Sequence, residues 1–354
     1  MDLEKRIKAF SSLGDLMHNY ISNKSYPAQS WEANFIKILD ETTKNAINTN
    51  SWFIEESVKY AIQAIAINLN ENKIRQWVYQ YPLSSFNPDK INTIGVVMAG
   101  NIPLVGFFDL FYVLMSGNKL NAKLSSQDKY LLPILASALI HIESSFDKLI
   151  NFTETQLKDI NAIIATGSDN TSRYFEYYFS KYPNIIRKNR NSIAILTGEE
   201  PLDELKLLSD DIFMYYGFGC RNVSKIFIPE NYDLKKLFIA IEDRKEIANH
   251  HKYFNNYEYN KAIYLINNTP HLDNGFFLLK EDVSSHSPVA TLYYEYYHDK
   301  QTLKLKLNEG KDKIQCIISN YFKIENAIKM GKSQFPELND YADGIDVIKF
   351  ASTI

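Results

Sequence analysis

The chain has 354 residues, 45% hydrophobic and 23% charged, with 39 Lys and Arg against 42 Asp and Glu for a formal charge of -3. This balance excludes disorder throughout and supplies a large core, and it leaves no global basic field to draw the protein to nucleic acid or an anionic membrane. The expected partners are therefore small molecules or protein, and since two cysteines, Cys220 and Cys316, cannot form a disulfide framework for a chain of this size, the expected location is a reducing cytoplasm.

The opening segment, MDLEKRIKAFSSLGDLMHNY, alternates charged and apolar residues at helical spacing, which predicts a helix over 1–21 and lacks the features of a signal peptide. Further helices are predicted over 31–46 and over 52–69 continuing through 74–79, with turns at Tyr26-Pro27 and Asn48-Thr49-Asn50. After Tyr81-Pro82 the texture changes. TIGVVMAG (93–100) reads as a strand and 103–115 as a helix. The apolar stretch 102–117 is interrupted by Asp109 and is shorter than the roughly 20 residues of a membrane span. Strands follow at 118–124, 161–167 and 192–198, separated by helices near 131–142 and 171–179, with a new helix after Pro201. Later strands are predicted at 224–229, 275–280, 289–297 and 313–319, with helices near 234–246 and 257–267. Strands alternating with helices imply α/β architecture with mostly parallel sheets, and the length favours two domains.

Four segments could carry chemistry. In YYGFGCRNVSKIFIP, Cys220 follows Gly217 and Gly219 and precedes Arg221 and Lys225. A thiol at a tight turn near cations can become a nucleophilic thiolate; the alternative is a small buried hydrophobe. Cys316, among Ile314 and Ile317, reads as core. In MAGNIP, Asn101 stands between a strand and Pro103, able to cap the next helix or to aim its amide at an anion. In ATGSDNTSRYF, Gly167 and Ser168 join a strand to a helix whose first N–H groups could receive a phosphate or ribose. In AKLSSQD, Lys123 ends a strand, either as a surface charge or as a donor to ribose or phosphate. The fingerprint G-x-G-x-x-G is absent, and the seven histidines show no metal-ligand spacing, so no metal is expected.

Taken in order, AGNIP, AKLSS, ATGS and GFGCRN resemble the landmarks of the aldehyde dehydrogenase superfamily, and more closely the acyl-CoA reductases of the bacterial bioluminescence fatty-acid-reductase type. The resemblance covers roughly 93–228, with a weaker continuation through SHSPVATLYYEYY and DYADGIDVIKF. It implies an aldehyde dehydrogenase-like fold of two Rossmann-like parallel-sheet domains with a helical amino-terminal region. The implied division is 1–198 for the helical region and cofactor-binding domain, 199–325 for the catalytic domain, and 326–354 for a segment returning to the first domain or making an oligomer contact. It also implies Cys220 as nucleophile, Asn101 and the Cys220 N–H as oxyanion donors, Lys123 on the adenosine ribose, and Gly167 and Ser168 near the nicotinamide.

Three departures refine what the resemblance implies. Hydrolytic relatives carry a water-activating Glu in a Glu-Leu-Gly-Gly-Lys stretch; here the stretch is RKNRNSIAIL and the place of that Glu falls near Arg187. An acyl-enzyme then lacks a base for hydrolysis, whereas coenzyme A needs none as a leaving group. The acidic residue three positions after the lysine in NAD-preferring relatives is Ser126, which favours NADPH, with NADH as the other candidate. Ser284 stands where relatives carry the ribose-anchoring Glu of Glu-x-Phe-Gly-Pro. The activity expected is NADPH-dependent reduction of a fatty acyl-CoA, or another acyl thioester, to the aldehyde. The alternatives are an acyl-phosphate reductase or a non-catalytic acyl-CoA or nucleotide-binding module. A homo-oligomer is the expected assembly, with no nucleic acid and no membrane span.

Overall fold

The computed structural model describes residues 1–321, 324 and 326–354, and the chain divides into two compact units, Met1–Lys188 with Pro336–Ile354, and Asn189–Phe335. The first opens with helices α1 (Leu3–Ile21), α2 (Trp31–Thr49), α3 (Glu55–Asn68) and α4 (Glu71–Val78). Asp2, Ser30 and Asn70 cap α1, α2 and α4 by accepting first-turn N–H groups, while α3 has no side-chain cap. The predicted run 52–79 is broken at Leu69 and Asn70.

An alternating stretch follows: β1 (Thr93–Val97), α5 (Phe107–Met115), β2 (Lys119–Lys123), α6 (Leu131–Ile142), β3 (Ile150–Thr153), β4 (Ala162–Thr166), α7 (Asp169–Phe179) and β5 (Asn184–Arg187). The five strands form one parallel sheet in the order β3-β2-β1-β4-β5. β1 and β4 are central and nearly all apolar, as strands covered on both faces must be. Phe10, Trp77, Phe86, Phe111 and Tyr112 build an aromatic core against this sheet, with ring centroids 4.8 Å apart for Phe10 and Phe111 and 5.3 Å for Trp77 and Phe111. Of the aromatic residues on α5, Phe107, Phe111 and Tyr112 are core and Phe108 is half-buried.

Arg6 ties the helical region to this core. Its fully buried guanidinium donates to the Met115 carbonyl at 2.6 Å, at the carboxyl end of α5, and to the Phe86 carbonyl at 2.5 Å. A cation there meets the negative end of the helix dipole. Burial pushes its pKa down to about 10, still charged at neutral pH. The carboxy-terminal stretch, with helix α12 (Val347–Ala351), packs on the same unit: Tyr341 Oη accepts from Trp77 Nε1 at 2.9 Å, and Tyr112 Oη donates to the Leu338 carbonyl at 3.0 Å.

The second unit contains β6 (Asn191–Ile195), α8 (Leu202–Phe213), β7 (Val223–Pro229), α9 (Leu234–Ile241), α10 (His251–Ile266), β8 (Leu272–Asp273), β9 (Leu278–Glu281), β10 (Thr291–Tyr297), α11 (Lys300–Glu309) and β11 (Ile314–Ile318). Its sheet runs β11-β6-β7-β10-β9-β8, parallel except for the short edge strand β8. Ile193, Ile195, Phe227, Tyr297 and Leu303 form a core cluster on it, and Cys316 is buried on β11. Residues 191–195, read from the sequence with the first domain, pair with β7 and β11 and so lie in this second unit. Among the described residues no helix is long and apolar enough to cross a membrane, and no group of three or more His, Cys, Asp or Glu side chains could hold a metal ion.

Candidate active site

In the first unit the strand order reverses direction between β1 and β4. Open parallel sheets bind ligands outside the carboxyl ends of their strands at such a point, because the loops there diverge and leave a crevice. Asn101 lies beyond β1, Lys123 ends β2, and Gly167 and Ser168 follow β4. The register fixes them as neighbours, since Val97 pairs with Lys123 on one side and with Ala165 on the other. Five of the residues singled out from the sequence, Asn101, Lys123, Ser126, Gly167 and Ser168, therefore share one sheet edge.

The segment after β1 is not the helix predicted from residue 103. Helix α5 begins only at Phe107, with Gly106 as its cap residue and no side-chain capping bond, so Asn101 does not cap it. Leu104 has a left-handed backbone, with φ of 58°, which a branched side chain adopts only when its surroundings impose it. Asp128 is one such imposition: its Oδ2 accepts the Leu104 N–H at 2.7 Å. Asp128 closes a turn, donating its own N–H to the Ser125 carbonyl at 3.2 Å, and Gly100 presses against that turn. A Cβ on Gly100 would lie 2.5 Å from Ser125 Oγ and 3.1 Å from the Asp128 nitrogen, so only glycine fits. Burial pushes the Asp128 carboxyl up to about 6, although the Leu104 and Leu131 N–H groups favour its charged form.

On the other strands, Lys123 is half-buried and its ammonium makes no hydrogen bond or ion pair among the described residues. Ser126 is exposed on the Ser125–Asp128 turn. Ser168 caps α7, its Oγ accepting from Thr171 N–H at 3.3 Å, and a Cβ on Gly167 would meet Phe175 and Thr171 at 3.0 Å, so this glycine lets α7 seat against β4. Arg187, at the end of β5, donates from both terminal nitrogens to Asp109 on α5 at 2.7 and 2.9 Å, a bidentate pair with side chains 6% and 11% exposed. Burial alone would push this guanidinium down, but the Asp109 charge and hydrogen bonds raise it. The Arg187 carbonyl also accepts from the Gly167 N–H at 3.3 Å.

The second unit presents Cys220 on an exposed turn between α8 and β7, so it is not the small buried hydrophobe. The approach to that turn is strained: Tyr215, Tyr216 and Gly217 are consecutive left-handed residues with φ of 53°, 56° and 82°. Asn222 holds it. The buried Asn222 amide donates to the carbonyls of Asp211 and Met214 at 3.1 and 2.9 Å, and its oxygen accepts the Gly219 N–H at 2.8 Å. Ser192 Oγ donates to the Cys220 carbonyl at 3.0 Å. Asp211, buried beside this turn, accepts the N–H groups of Gly331 and Ser333 at 2.7 and 3.0 Å; burial raises its carboxyl. Arg221 donates to the Ser333 carbonyl. Ser284 is exposed, its N–H donating to Asp282 Oδ1 at 2.8 Å in the loop after β9.

Sequence reasoning missed the supporting residues. Asn222 carried a signal, because asparagine beside a glycine turn often hydrogen-bonds the local backbone. So did Asp109, a lone charge in an apolar helix, which burial obliges to find a partner. Asp128 carried only the weak signal of an acid shortly before a helix.

The model of the acyl-CoA reductase (LuxC) family matches residues 40–240, more than half of the chain. No curated protein matches the sequence. Among solved structures, the NAD+ complex of an aldehyde dehydrogenase from Bacillus cereus is 12% identical with a TM-score of 0.59, covering 90% of this chain and 72% of that one. Aldehyde dehydrogenase 21 from Physcomitrella patens, solved with the product succinate, is 13% identical with a TM-score of 0.61, covering 100% and 84%. The P. syringae indole-3-acetaldehyde dehydrogenase AldA, solved as a cysteine-to-alanine mutant with NAD+ and IAA, is 11% identical with a TM-score of 0.64, covering 92% and 73%. The parallel sheets, the strand-end loops and the family match lead to one conclusion: the chain belongs to the acyl-CoA reductase (LuxC) family, oxidoreductases on the aldehyde dehydrogenase fold.

Proposed function

We propose that this enzyme reduces a fatty acyl-CoA thioester to the aldehyde through an acyl-enzyme on Cys220, using NADPH. The observation that carries this reading is the Arg187–Asp109 pair. At the end of β5, where the resemblance places the water-activating Glu of hydrolytic relatives, stands a guanidinium that accepts no proton at neutral pH. Both oxygens of its partner are occupied by it. With no base there for water, an acyl-enzyme persists long enough to be reduced instead of being lost as the acid.

The steps assigned to the chain follow from its groups. The Cys220 thiolate attacks the thioester carbonyl, and the oxyanion is stabilised by the Asn101 amide and the Cys220 N–H. The tetrahedral species collapses with expulsion of the coenzyme A thiolate, which takes up a proton. The residues at the edge of the first sheet suit a nicotinamide dinucleotide: Lys123 offers an unengaged ammonium, Ser126 places no charge against a 2′-phosphate, and Gly167 and Ser168 open α7. When bound, the reduced nicotinamide supplies the hydride. The resulting thiohemiacetal on Cys220 releases aldehyde and regenerates the thiolate.

The test is intact-mass measurement after incubation with acyl-CoA, followed by aldehyde detection with NADPH and NADH side by side. An acyl adduct that disappears in Cys220→Ala, and aldehyde formed faster with NADPH, are the expected results. Adduct from acyl phosphate alone would assign the substrate to that class, and binding with neither adduct nor aldehyde would leave a non-catalytic module.

A further inference from the structure

We propose that Asp128 is the positioning residue for the Asn101-bearing turn, acting through the Leu104 amide. This rests on the reading of Asn101 as an oxyanion donor. Oxyanion stabilisation needs a donor held before the reaction, because a donor that must be ordered during it gives up much of the gain. Asn101 is itself exposed and stands on an irregular segment that neither β1 nor α5 includes. What fixes that segment is therefore outside it.

Three contacts do so. The Asp128 carboxylate takes the Leu104 N–H at 2.7 Å on the far side of Asn101, where the backbone is left-handed. Gly100, on the near side, lies against the Ser125–Asp128 turn so closely that no side chain fits. Asn50 Nδ2 reaches the Gly100 carbonyl at 3.5 Å, at the limit of a hydrogen bond. Of the three, Asp128 alone makes a short charged bond, and the turn it closes also carries Ser126 and follows Lys123. One buried carboxylate thus references the turn after β1 to the turn after β2.

A carboxylate is a costly choice for a purely structural bond. One of its oxygens has no hydrogen-bond partner of good geometry among the described residues, and the group is 7% exposed. A neutral acceptor such as asparagine should fold at least as well at neutral pH, and a residue that costs stability fits a role in turnover.

The experiment compares Asp128→Ala with Asp128→Asn, which keeps an acceptor for the Leu104 N–H. Backbone hydrogen exchange over 100–106 is read on the protein without substrate, and kcat and KM for acyl-CoA reduction are read separately. The expected pattern is faster exchange confined to 100–106 in the Ala variant and a kcat about tenfold or more lower. KM should move less than twofold, and the Asn variant should recover most of both losses. Unchanged exchange in the Ala variant, or equal loss of kcat in Ala and Asn, overturns the proposal. Absence of an acyl adduct in the unmodified protein would overturn the proposed function instead, and the exchange comparison would then decide the role of Asp128 alone. Should the Ala variant not fold, Gly100→Ala loosens the same junction and must give the same pattern; wild-type exchange and kcat in that variant overturn the proposal as well.

Discussion

Replacing Asn222 by Ala removes the clamp on the Cys220 turn, and its effect can be worked from the contacts. Three well-formed bonds are lost: 2.8 Å to the Gly219 N–H, 2.9 Å to the Met214 carbonyl and 3.1 Å to the Asp211 carbonyl, all from a side chain 3% exposed. At about 1 kcal/mol net each, with more for groups left buried without a partner, the loss is roughly 3–5 kcal/mol. Against this stands the strain at Tyr215 and Tyr216, each left-handed residue costing on the order of 1–3 kcal/mol, part of which is released when the turn relaxes. The net destabilisation expected is about 2 kcal/mol, small enough that a domain of ordinary stability stays folded. The larger consequence is for chemistry, since a shift of about 1 Å in a reacting group can cost on the order of a hundredfold in rate. Urea denaturation followed by far-ultraviolet circular dichroism measures the first effect, and the rate of acyl-adduct formation from acyl-CoA measures the second. A folded Asn222→Ala protein with the wild-type midpoint and acylation rate would show that the clamp does not hold the turn.

Other outcomes follow from the same geometry. Asn101→Ala should retain binding of acyl-CoA and lose roughly 2.7–4 kcal/mol of transition-state stabilisation, a fall in kcat of about a hundred- to a thousandfold in steady-state reduction assays. Asp109→Asn leaves the buried Arg187 guanidinium without its counter-charge and should lower stability by about 3–5 kcal/mol in denaturant titration. The double change Asp109→Leu with Arg187→Met should cost clearly less, and an equal cost would refute the reasoning. Asp128 also gives a pH signature. Its folded-state pKa of about 6 lies above the ordinary 3.8, so the folded state holds the proton more tightly. This group's contribution to stability is therefore fully present below about pH 4 and is lost as pH rises through about 6. The stability difference between Asp128→Asn and wild type should grow by roughly 2–3 kcal/mol between pH 4 and pH 7, in favour of Asn. A difference that is constant over that range would contradict the burial argument.

What could be read from the sequence, and what could not, divides along the range of the interactions involved. The central strands β1, β4, β6 and β7 were legible because burial on both faces writes them as largely apolar runs with a turn at the end, and β2 because Leu120 and Ala122 alternate with polar residues. INFT and NIIR, which become β3 and β5, were not, because short sheet-edge segments with polar residues carry too little apolar signal. The start of α5 was misread for a related reason. Pro103 after Asn101 is a good local helix signal, but Leu104 is left-handed, its N–H held by Asp128 24 positions along the chain, and a left-handed residue cannot continue a right-handed helix. His250 and His251, which showed no metal spacing, find their use at a helix start, where His250 Nδ1 accepts the Tyr253 N–H at 3.3 Å.

The same division separates the groups proposed to do the chemistry from those that hold them. Cys220, Asn101, Lys123, Gly167 and Ser168 were found because each lies at a strand end or tight turn, and turn chemistry is local in sequence. Apart from Asn222, which bonds its own turn, the supports are pairings across the chain: Leu104 with Asp128, 24 positions apart, and Arg187 with Asp109, 78 apart. A lone charge in an apolar helix, such as Asp109, announces that a partner is needed, but no local pattern names that partner; the fold does. Substitution of a support should therefore change turnover while leaving the motif intact. An alignment of the turn motifs alone would then misjudge which members of the family are active, since a chain can keep AGNIP and still lack the Asp128 that takes the Leu104 N–H beside it.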